Sequence, residues 1–360
     1  MSTVRYAAAE LIEFTARVLT SLGMPAEDAR LAGTVLVDAD LMGIDSHGIA
    51  HLPTHGSYAP AIREGRVNPR PVIRVVRETA ATALLDGDGG MGVVVGHHAM
   101  RLAIAKARDA GCGSVAVRNS RHYGAAGYYA MMAVPEDMIG LSFTNAGPWT
   151  TPTNAKRKMI GTNPIAVAAP AGTEQPFLCD LATSTVAMGK LEIAARESKP
   201  IPAGWSLDGA GHPTEDIPTV YREGGLTPLG STATTSSYKG YALGVMVDVF
   251  SGLLSGAGYS LALGGYGRDV GHFFAAWRID AFRPAIEFKA MMDEMQRAFR
   301  TAEPADPARP VLLPGQREFA CRAERERNGI PLHVSVVSTL DALAYDVGVA
   351  PARPLDSVHA

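Results

Sequence analysis

The amino-acid sequence predicts an α/β or α+β fold, in which a central sheet region packs on a helical subdomain built from both chain ends. Two observations support this class. Strand-like and helix-like segments alternate only in the middle of the 360 residues, and helical patterns flank them on both sides. We expect a helical domain at 1–70 plus about 300–345, a central α/β region at 71–299 and a tail at 346–360.

Two helices open the chain. Apolar residues recur at helical spacing through residues 6–42, and Gly23-Met-Pro25 separates the two periodic runs. After a histidine-rich stretch, Val72–Val76 and Thr82–Leu85 have strand patterns. Val93–Ala110 then places Ala, Met, Leu and Ile on one face of a helix. The first third of the central region is therefore predicted to contain two strands and an amphipathic helix.

Short apolar strands and longer helices follow in the rest of the chain. Further strands are predicted at Ser114–Val117, Ile139–Phe143, Ile165–Ala169, Pro176–Cys179 and His272–Ile279. Residues 199–237 are rich in Pro, Gly, Ser and Thr, which indicates loops. Helices are predicted at Tyr238–Gly256, Phe288–Thr301 and Glu318–Gly329. The Pro-containing tail after Tyr345 is expected to be poorly ordered.

Composition and charge exclude several classes of protein. The net charge of −3 provides no basic surface, so no nucleic-acid partner is expected. The longest apolar stretch, Tyr241–Leu254, is interrupted by Gly, Asp and Ser, so no contact with a membrane is expected. Cys112, Cys179 and Cys321 are few and far apart, which predicts reduced thiols and a cytoplasmic location. The first residues lack the basic-then-apolar pattern of a secretory signal.

A glycine-rich segment follows the second predicted strand. Gly87-Asp-Gly-Gly-Met-Gly92 matches the G-x-G-x-x-G pattern of a dinucleotide-binding turn, which lies between a strand and a helix. The next strand ends in Arg118-Asn119 and not in an acidic residue for a ribose hydroxyl, although Arg118 could face a 2′-phosphate. The alternative is a plain strand-to-helix turn, because glycine tolerates positive φ.

Three histidines, His47, His51 and His55, stand four residues apart. This spacing places side chains on one face of a helix, as in some metal sites, while histidine also transfers protons near neutral pH. Pro53 disfavours one continuous helix, and no HExxH, CxxC or paired carboxylate is nearby. The pattern therefore favours a reactive histidine, with a histidine-bound metal enzyme as the more distant alternative.

Two further motifs directly follow predicted strands, where α/β proteins place reactive groups. Asn119-Ser-Arg-His-Tyr-Gly124 contains His122, which is either a second reactive histidine or a loop histidine. Asp180-Leu-Ala-Thr-Ser184 offers a carboxylate that could orient a histidine, bind a ribose or cap a helix. Lys239, at the start of the apolar helix, could pair with a cofactor phosphate or lie solvated. A serine hydrolase is disfavoured because no G-x-S-x-G turn is present.

Taken together, seven motifs in order resemble the malate/L-lactate dehydrogenase family that lacks a Rossmann fold. Its members include ureidoglycolate and sulfolactate dehydrogenases, diketogulonate reductase and the cyclic-imine (piperideine-2-carboxylate) reductases. The motifs are Asp45-Ser-His-Gly48, Asn119-Ser-Arg-His-Tyr-Gly124, Gly161-Thr-Asn-Pro164, Asp180-Leu-Ala-Thr-Ser184 with Gly189-Lys190, Tyr238-Lys-Gly240, Gly271-His-Phe-Phe274 and Leu313-Pro-Gly315. The resemblance covers most of the chain and implies a mixed central sheet, a helical domain from the termini and a homodimer.

The resemblance also implies a reaction and the residues that perform it. NADH or NADPH would exchange hydride with a small 2-oxo or 2-hydroxy acid or, as the alternative, with a cyclic imine. His47 and His122 are the candidate proton donors, Asp180 is also catalytic in the imine reductases, and Ser46 would hold the substrate. The residues implied for the cofactor site are His122, Asn163, Asp180, Leu181, Ala182, Tyr238, Lys239, Gly271, His272, Phe273, Pro314 and Gly315. No metal ligand is implied.

This chain departs from the family pattern at three positions. His51 stands where the family usually has an arginine that binds the substrate carboxylate, and His55 stands where a tyrosine is common. Gln316 replaces the usual glutamate. Arg121 could supply the missing positive charge at the substrate, or the substrate could lack that carboxylate. A family-like protein that binds its ligand without turnover is a further alternative.

Overall fold

A mixed seven-stranded sheet forms the centre of the computed structural model, which describes residues 3–53, 58–196, 198–263 and 269–355. The strands are β1 Thr3–Tyr6, β2 Arg74–Glu78, β3 Thr82–Asp86, β4 Cys112–Ser120, β5 Met138–Thr144, β6 Ile165–Ala169, β7 Phe177–Leu181, β8 Ser206–Leu207, β9 Gly225–Leu226, β10 Val270–Arg278 and β11 Ile330–His333. The α-helices are α1 Ala8–Ser21, α2 Ala26–Leu41, α3 Tyr58–Arg63, α4 Gly92–Ala110, α5 Ala126–Met131, α6 Met188–Arg196, α7 Ile217–Arg222, α8 Ser237–Val247, α9 Ser260–Leu263, α10 Ala285–Arg300, α11 Gln316–Asn328 and α12 Val334–Val347. Short 3₁₀ turns lie at Ile49–His51, Val134–Glu136 and Ile279–Ala281, and a π-helical segment lies at Asp248–Leu253.

The central sheet has the strand order β2-β3-β4-β10-β5-β6-β7. β3 and β4 are parallel and connected by α4, whereas the other neighbouring pairs are antiparallel. The apolar face of α4 is buried against β4 and β10, and the helix ends at Gly111 in the left-handed region, with φ of 81°. The predicted mixed α/β fold is confirmed by this arrangement.

The two chain ends lie side by side. β1 pairs antiparallel with β11, α1 packs on α2 and α12, and α2 also packs on α4 and α11. The Leu355 N–H donates to the Arg5 carbonyl at 2.8 Å. The part of the tail up to Leu355 therefore follows β1, where the sequence predicted a poorly ordered segment. The domain boundaries expected from the sequence stay a prediction.

The helices and strands predicted individually lie within a few residues of the observed elements, whereas α12 was not predicted as a separate helix. The helix predicted at Tyr238–Gly256 is α8 followed by the π-helical segment, which an apolar pattern does not indicate. There, Asp248 accepts hydrogen bonds from Asn145 Nδ2 at 3.2 Å and from Ser260 N at 3.0 Å. β1 and β11 were not predicted, because each is short and is stabilised by the other. In the described part of the chain, no helix is long and apolar enough to cross a membrane.

The glycine-rich segment joins β3 to α4 as expected, and it packs tightly on the backbone that leads to His122. A Cβ on Gly87 would lie 2.9 Å from the Asn119 carbonyl oxygen, and one on Gly92 would overlap the His122 carbonyl. Arg118 Nε lies 3.1 Å from Asp86 Oδ2 in an ion pair. These contacts explain the glycines without a bound dinucleotide, so they favour the plain strand-to-helix turn.

The loop-rich part of the chain has a small core of its own. Leu191, Ile201, Val220 and Leu226 are buried there, beside the two-stranded sheet of β8 and β9. Helix α6 begins at the edge of this core and lies close to Ser46, because a Cβ on Gly189 would overlap the Ser46 side chain. This small unit therefore covers one side of the loop that follows α2.

Candidate active site

The loop after α2 carries Ser46 and His47, and a buried carboxyl group shapes it. Asp40, near the end of α2, is 1% exposed and accepts a hydrogen bond from Ile49 N at 2.8 Å. A Cβ on Gly48 would overlap the Asp40 carboxyl, so only glycine fits there. Burial raises the pKa of Asp40 to about 8 although the Ile49 hydrogen bond opposes the shift, so the group is mostly protonated at neutral pH.

Helix α11 holds the same loop from the outside. Arg325 donates to the Asp40 carbonyl and to Asp45 Oδ1, and its second nitrogen lies 3.2 Å from Asp45 Oδ2. A bidentate arginine–carboxylate pair fixes orientation as well as distance. Ser46 and His47 therefore lie between two anchored points, Asp45 on one side and Gly48 on the other.

Three imidazoles from two separate segments meet in one cluster. His47 and His51 belong to this loop and the 3₁₀ turn after it, and His122 follows the end of β4. The ring centroids of His47 and His122 are 5.6 Å apart, those of His51 and His122 are 5.2 Å apart, and those of His47 and His51 are 6.0 Å apart. Ser46 Oγ lies 2.9 Å from His47 Nδ1. The cluster thus arises from tertiary contact and not from one helical face.

Burial keeps the imidazoles of this cluster neutral. Burial, reinforced by the nearby His51, lowers the pKa of His47 to about 3. The pKa of His122 is also well below its usual value, because of burial and then of the neighbouring His51 and His47. Burial lowers the pKa of His51 too, whereas Glu192 acts in the opposite direction. His122 nevertheless has an exposed surface, so a ligand can reach its ring.

Tyr58 contacts His122, and His272 lies near it. Tyr58 is 2% exposed, and its Oη lies 2.7 Å from His122 Nδ1. His272 is fully buried, with Thr144 Oγ1 at 2.7 Å from its Nδ1 and Ser120 Oγ at 2.9 Å from its Nε2. Both ring nitrogens of His272 are therefore satisfied within the protein, and its contact with a cofactor stays a prediction.

Asp180 lies near the end of β7 and reaches the segment that follows His122. Its Oδ2 accepts a hydrogen bond from Gly127 N at 2.7 Å. Burial raises the pKa of Asp180 to about 6, against the effect of the Gly127 hydrogen bond, and Glu318 contributes in the same direction as burial. Asp180 Oδ1 accepts no hydrogen bond from the part of the chain that the structure describes. It is therefore available to an amide or hydroxyl group of a ligand.

Several other residues implied for a cofactor lie on or against β7 or at the start of α8. Leu181 and Ala182 follow Asp180 and are half-buried. Gly315 packs on β7, because a Cβ there would lie 2.9 Å from Leu178 Cβ. Pro314 precedes Gly315 and is exposed, and Tyr238 and Lys239 are exposed at the start of α8. Asp180 offers a hydrogen-bond acceptor, Lys239 a cation and Gly315 a close approach of the backbone. These groups suit the amide, the ribose hydroxyls and the phosphates of a pyridine nucleotide.

The remaining residues implied for the cofactor have bonds within the protein. Asn163 is buried, accepts a hydrogen bond from Ala146 N at 3.0 Å and donates one to the Gly244 carbonyl at 2.8 Å. Gly271 is buried on β10, and its N–H donates to the Asn145 side chain at 3.0 Å. Phe273 is partly buried on the same strand. Cofactor contacts of these residues stay predictions.

Two residues predicted to touch the substrate are not in the cluster as described. Arg121 donates from Nε to the Arg66 carbonyl and from Nη1 to the Ser120 carbonyl, both at 2.7 Å. It lines a separate cavity of about 480 Å³ together with Arg66 and Asn68. These two hydrogen bonds direct Arg121 away from the imidazoles, and its contact with a substrate stays a prediction. His55 lies outside the described residues.

The histidine cluster does not have the geometry of a metal site. Among the residues that the structure describes, no group of three His, Cys, Asp or Glu side chains could hold a metal ion. His47 lies on a bend and His51 on a short 3₁₀ turn, so no continuous helix presents them side by side.

Sequence reasoning missed three residues that shape the site. Asp40 lies among the buried residues of α2, and a carboxyl in the apolar pattern of Val35–Leu41 was the signal for it. Tyr58 follows the histidine segment closely, but nothing in its pattern indicates a hydrogen bond to His122. Arg325 is one of several charged residues on α11, and only the packing of α11 on α2 distinguishes it.

Comparison with known proteins shows the family to which the chain belongs. Residues 6–341 match the family model described as malate/L-lactate dehydrogenase. The malate dehydrogenase of Pyrococcus abyssi is 44% identical over 350 residues, 96% of each chain. The structure of malate dehydrogenase from Pyrococcus horikoshii superposes with a TM-score of 0.90 at 41% identity, over 97% of each chain. The δ1-piperideine-2-carboxylate reductase of Pseudomonas syringae superposes with a TM-score of 0.82 at 28% identity, over 94% of this chain and 99% of that chain. The resemblance is thereby confirmed: the chain belongs to the malate/L-lactate dehydrogenase family and is a pyridine-nucleotide-dependent oxidoreductase.

Proposed function

We propose that this chain interconverts a small 2-oxo acid and its 2-hydroxy acid, with NADH or NADPH as the hydride carrier. The observation that carries this proposal is the meeting of His47, His51 and His122 beside Ser46, with ring centroids 5.2–6.0 Å apart. Buried imidazole N–H groups can orient a carbonyl and stabilise the charge that develops on its oxygen. Because a relative with 44% identity is a malate dehydrogenase, oxaloacetate and malate are the first pair to test.

The protein has to manage the proton and the charge of this reaction, while a bound nicotinamide supplies or accepts the hydride. Reduction converts the substrate carbonyl into an alkoxide, which needs a hydrogen-bond donor and then a proton. His47 and His122 both offer ring nitrogens to that oxygen. The 2.9 Å contact between Ser46 Oγ and His47 Nδ1 orients the His47 ring for this role. In the direction of oxidation, the same ring removes the hydroxyl proton.

His51 determines how the substrate carboxylate is bound in this proposal. A neutral imidazole donates one hydrogen bond, whereas the usual arginine donates two and carries a charge. Glu192 raises the pKa of His51 against the lowering effect of burial, and a bound carboxylate acts in the same direction as Glu192. We infer that substrate binding favours protonation of His51. The KM for a 2-oxo acid is then expected to rise as the pH increases from below the ordinary histidine pKa of 6.5.

A substrate panel tests the proposed function. Purified protein is mixed with NADH or NADPH and with oxaloacetate, pyruvate, 3-sulfopyruvate or piperideine-2-carboxylate, and oxidation of the cofactor is followed by its absorbance. We expect oxidation with at least one 2-oxo acid. Absence of oxidation with every compound, together with absence of cofactor binding by fluorescence, contradicts the proposal.

The variant His51→Arg separates a changed substrate pocket from a protein that binds without turnover. If the wild-type protein binds cofactor but is inactive, and the variant gains activity on pyruvate or oxaloacetate, loss of the arginine explains the inactivity. If the wild-type protein is active, the variant is expected to lower KM for these acids about tenfold, because a charge-assisted bidentate pair replaces a single hydrogen bond. An unchanged KM shows that residue 51 does not contact the carboxylate.

Reduction of a cyclic imine is the second candidate function. Burial raises the pKa of Asp180 to about 6, so this carboxyl can hold a proton under mildly acidic conditions and deliver it to a nitrogen. The superposition on a piperideine-2-carboxylate reductase also favours this candidate. Imine reduction that is faster than any 2-oxo acid reduction, and that Asp180→Asn abolishes, makes this the main activity.

We further infer a homodimer and a cytoplasmic location. Large apolar side chains are exposed on the π-helical segment and directly after it, including Val249 at 46%, Leu253 at 57% and Leu254 at 59%. A second copy of the chain that covers this face accounts for their exposure, and light scattering coupled to size exclusion measures the resulting mass. The free cysteines suit a reducing compartment.

A further inference from the structure

We propose that Tyr58 holds His122 as a neutral imidazole with its proton on Nε2, so that His122 donates a hydrogen bond to the substrate while His47 transfers the proton. This inference rests on the proposed function and deepens it by separating the roles of the two histidines. Tyr58 is a positioning residue here, because it acts on the substrate only through His122.

Two donors are directed at the same nitrogen of His122. Tyr58 Oη lies 2.7 Å from Nδ1, and the backbone N–H of Gly124 faces Nδ1 at an N···N distance of 3.4 Å. The Gly124 contact is long, but its direction is unambiguous, because a backbone N–H can only donate. Nδ1 is therefore the unprotonated nitrogen of the neutral ring, and the ring proton lies on Nε2.

The hydroxyl of Tyr58 is then the donor of the short hydrogen bond. The side chain is 2% exposed, and burial raises the pKa of its phenol, so the hydroxyl keeps its proton throughout the working pH range. A phenol donates to an unprotonated imidazole nitrogen in the same way as other hydroxyl groups. Tyr58 and Gly124 thus favour the same tautomer.

The same arrangement opposes a positive charge on His122. A protonated Nδ1 would face the Gly124 N–H, which cannot reverse its direction, and Tyr58 would have to turn its hydroxyl away. The rings of His47 and His51 lie 5.6 Å and 5.2 Å from that of His122, and a charge on either of them adds repulsion. A neutral imidazole N–H stabilises a developing alkoxide, but it does not give up its proton, since imidazolate is strongly basic.

His47 has the partner that proton transfer requires. Its Nδ1 lies 2.9 Å from Ser46 Oγ, and a serine hydroxyl can donate or accept as the ring changes its protonation. His47 can therefore carry its proton on either nitrogen and can also become protonated on both. Burial keeps the His47 ring neutral in the free protein, and the negative charge of a bound 2-oxo acid favours its protonation in the complex. The ring that is protonated in the complex gives its proton to the alkoxide during reduction and recovers it during oxidation.

Nuclear magnetic resonance of protein labelled with ¹⁵N-histidine tests the tautomer directly, with the His122 signals assigned by His122→Gln. In the wild-type protein we expect an unprotonated shift for Nδ1 and a protonated shift for Nε2. Tyr58→Phe retains the aromatic ring and removes the hydroxyl. It is expected to raise the pKa of His122, to mix the two tautomers and to lower kcat about tenfold, the effect of one hydrogen bond, with the KM for cofactor unchanged.

Tyr128→Phe is the matched control. Tyr128 Oη lies 3.1 Å from His97 Nδ1, so this variant removes a tyrosine–histidine hydrogen bond of the same kind elsewhere in the protein. It is expected to leave the His122 signals and kcat unchanged.

The inference is overturned if Nδ1 of His122 carries the proton in the wild-type protein, or if Tyr58→Phe changes neither the tautomer nor kcat. The first result does not depend on Tyr58→Phe, so it decides the question even if that variant fails to fold. The tautomer is measured without substrate. If the wild-type protein fails to oxidise NADH or NADPH with any substrate, that result counts against the proposed function. It does not change what the tautomer measurement says about Tyr58 and His122.

Discussion

Replacing Asp40 with asparagine is expected to remove a loss of stability that the wild-type protein shows as the pH rises. The side chain is 1% exposed, and burial raises its pKa from 3.8 to about 8. In the unfolded chain the carboxyl loses its proton at about pH 4, whereas in the folded protein it keeps the proton until about pH 8. Its contribution to stability is therefore full below pH 4 and is lost as the pH rises through this window.

The magnitude of this loss of stability follows from the binding of one proton. When the folded protein binds one more proton than the unfolded chain, the free energy of unfolding falls by about 1.4 kcal/mol per pH unit. Over the whole window the loss reaches roughly 5 kcal/mol, a large part of the stability of an ordinary domain. Asparagine has the shape of a protonated Asp40, carries no charge and can still accept a hydrogen bond from the Ile49 N–H. In the variant, residue 40 therefore adds no fall in the free energy of unfolding as the pH rises.

Urea unfolding of both proteins at several pH values between about 5 and 8 measures the effect. The difference between the free energies of unfolding of the variant and the wild-type protein should grow by about 1.4 kcal/mol per pH unit. Asp346→Asn is the control, because this side chain is 60% exposed and makes only a surface ion pair with Arg63 at 3.4 Å. Parallel curves for wild type and Asp40→Asn would refute the reasoning, because they would show that Asp40 is ionised in the folded protein at neutral pH.

Four further substitutions test other parts of the structure. Gly48→Ala is expected to cost about 1–3 kcal/mol of stability and to lower kcat, because the added methyl group overlaps the Asp40 carboxyl; an unchanged melting temperature and kcat contradict this. His47→Ala and His122→Ala are each expected to lower kcat by about 100-fold or more while the Kd of the cofactor, measured by fluorescence, changes little; wild-type rates exclude these residues from the mechanism. Asp293→Asn is expected to cost about 2–4 kcal/mol, because the buried carboxylate accepts hydrogen bonds from three backbone N–H groups and one hydroxyl, at 2.8–3.2 Å. These bonds hold the pKa of Asp293 well below its ordinary value, and the bond from the Thr173 backbone N–H is the largest cause. Its stabilising effect is therefore present above about pH 4 and is lost in acid, and the variant should lose less stability than wild type on acidification.

The larger elements of the fold were predictable because their signals are local. The amphipathic pattern of α4 and the apolar run of β6 lie within single windows of sequence, and both elements were predicted with nearly correct bounds. β1 and β11 were not predictable in this way. Each contains four residues, and their pairing joins positions more than 300 residues apart in the chain.

The candidate site likewise combines residues that the sequence identifies with partners that only the structure identifies. Motifs located Ser46, His47, His122 and Asp180, because reactive residues at strand ends and next to glycine are recognisable in sequence. The partners of these residues were not recognisable. The hydrogen bond from Tyr58 to His122 depends on how the segment after the histidines folds back onto the end of β4.

The sequence by itself determined the family, the class of fold and the residue types available for chemistry, because these depend on order and spacing along the chain. It also predicted that His51 stands where the family usually has an arginine. Only the tertiary structure decided that three histidines form one neutral cluster, that Arg121 is directed elsewhere and that Asp40 is buried under the loop that carries Ser46 and His47. The physical reason is that burial and hydrogen bonding set the charge and direction of a side chain, and both arise from segments distant in sequence.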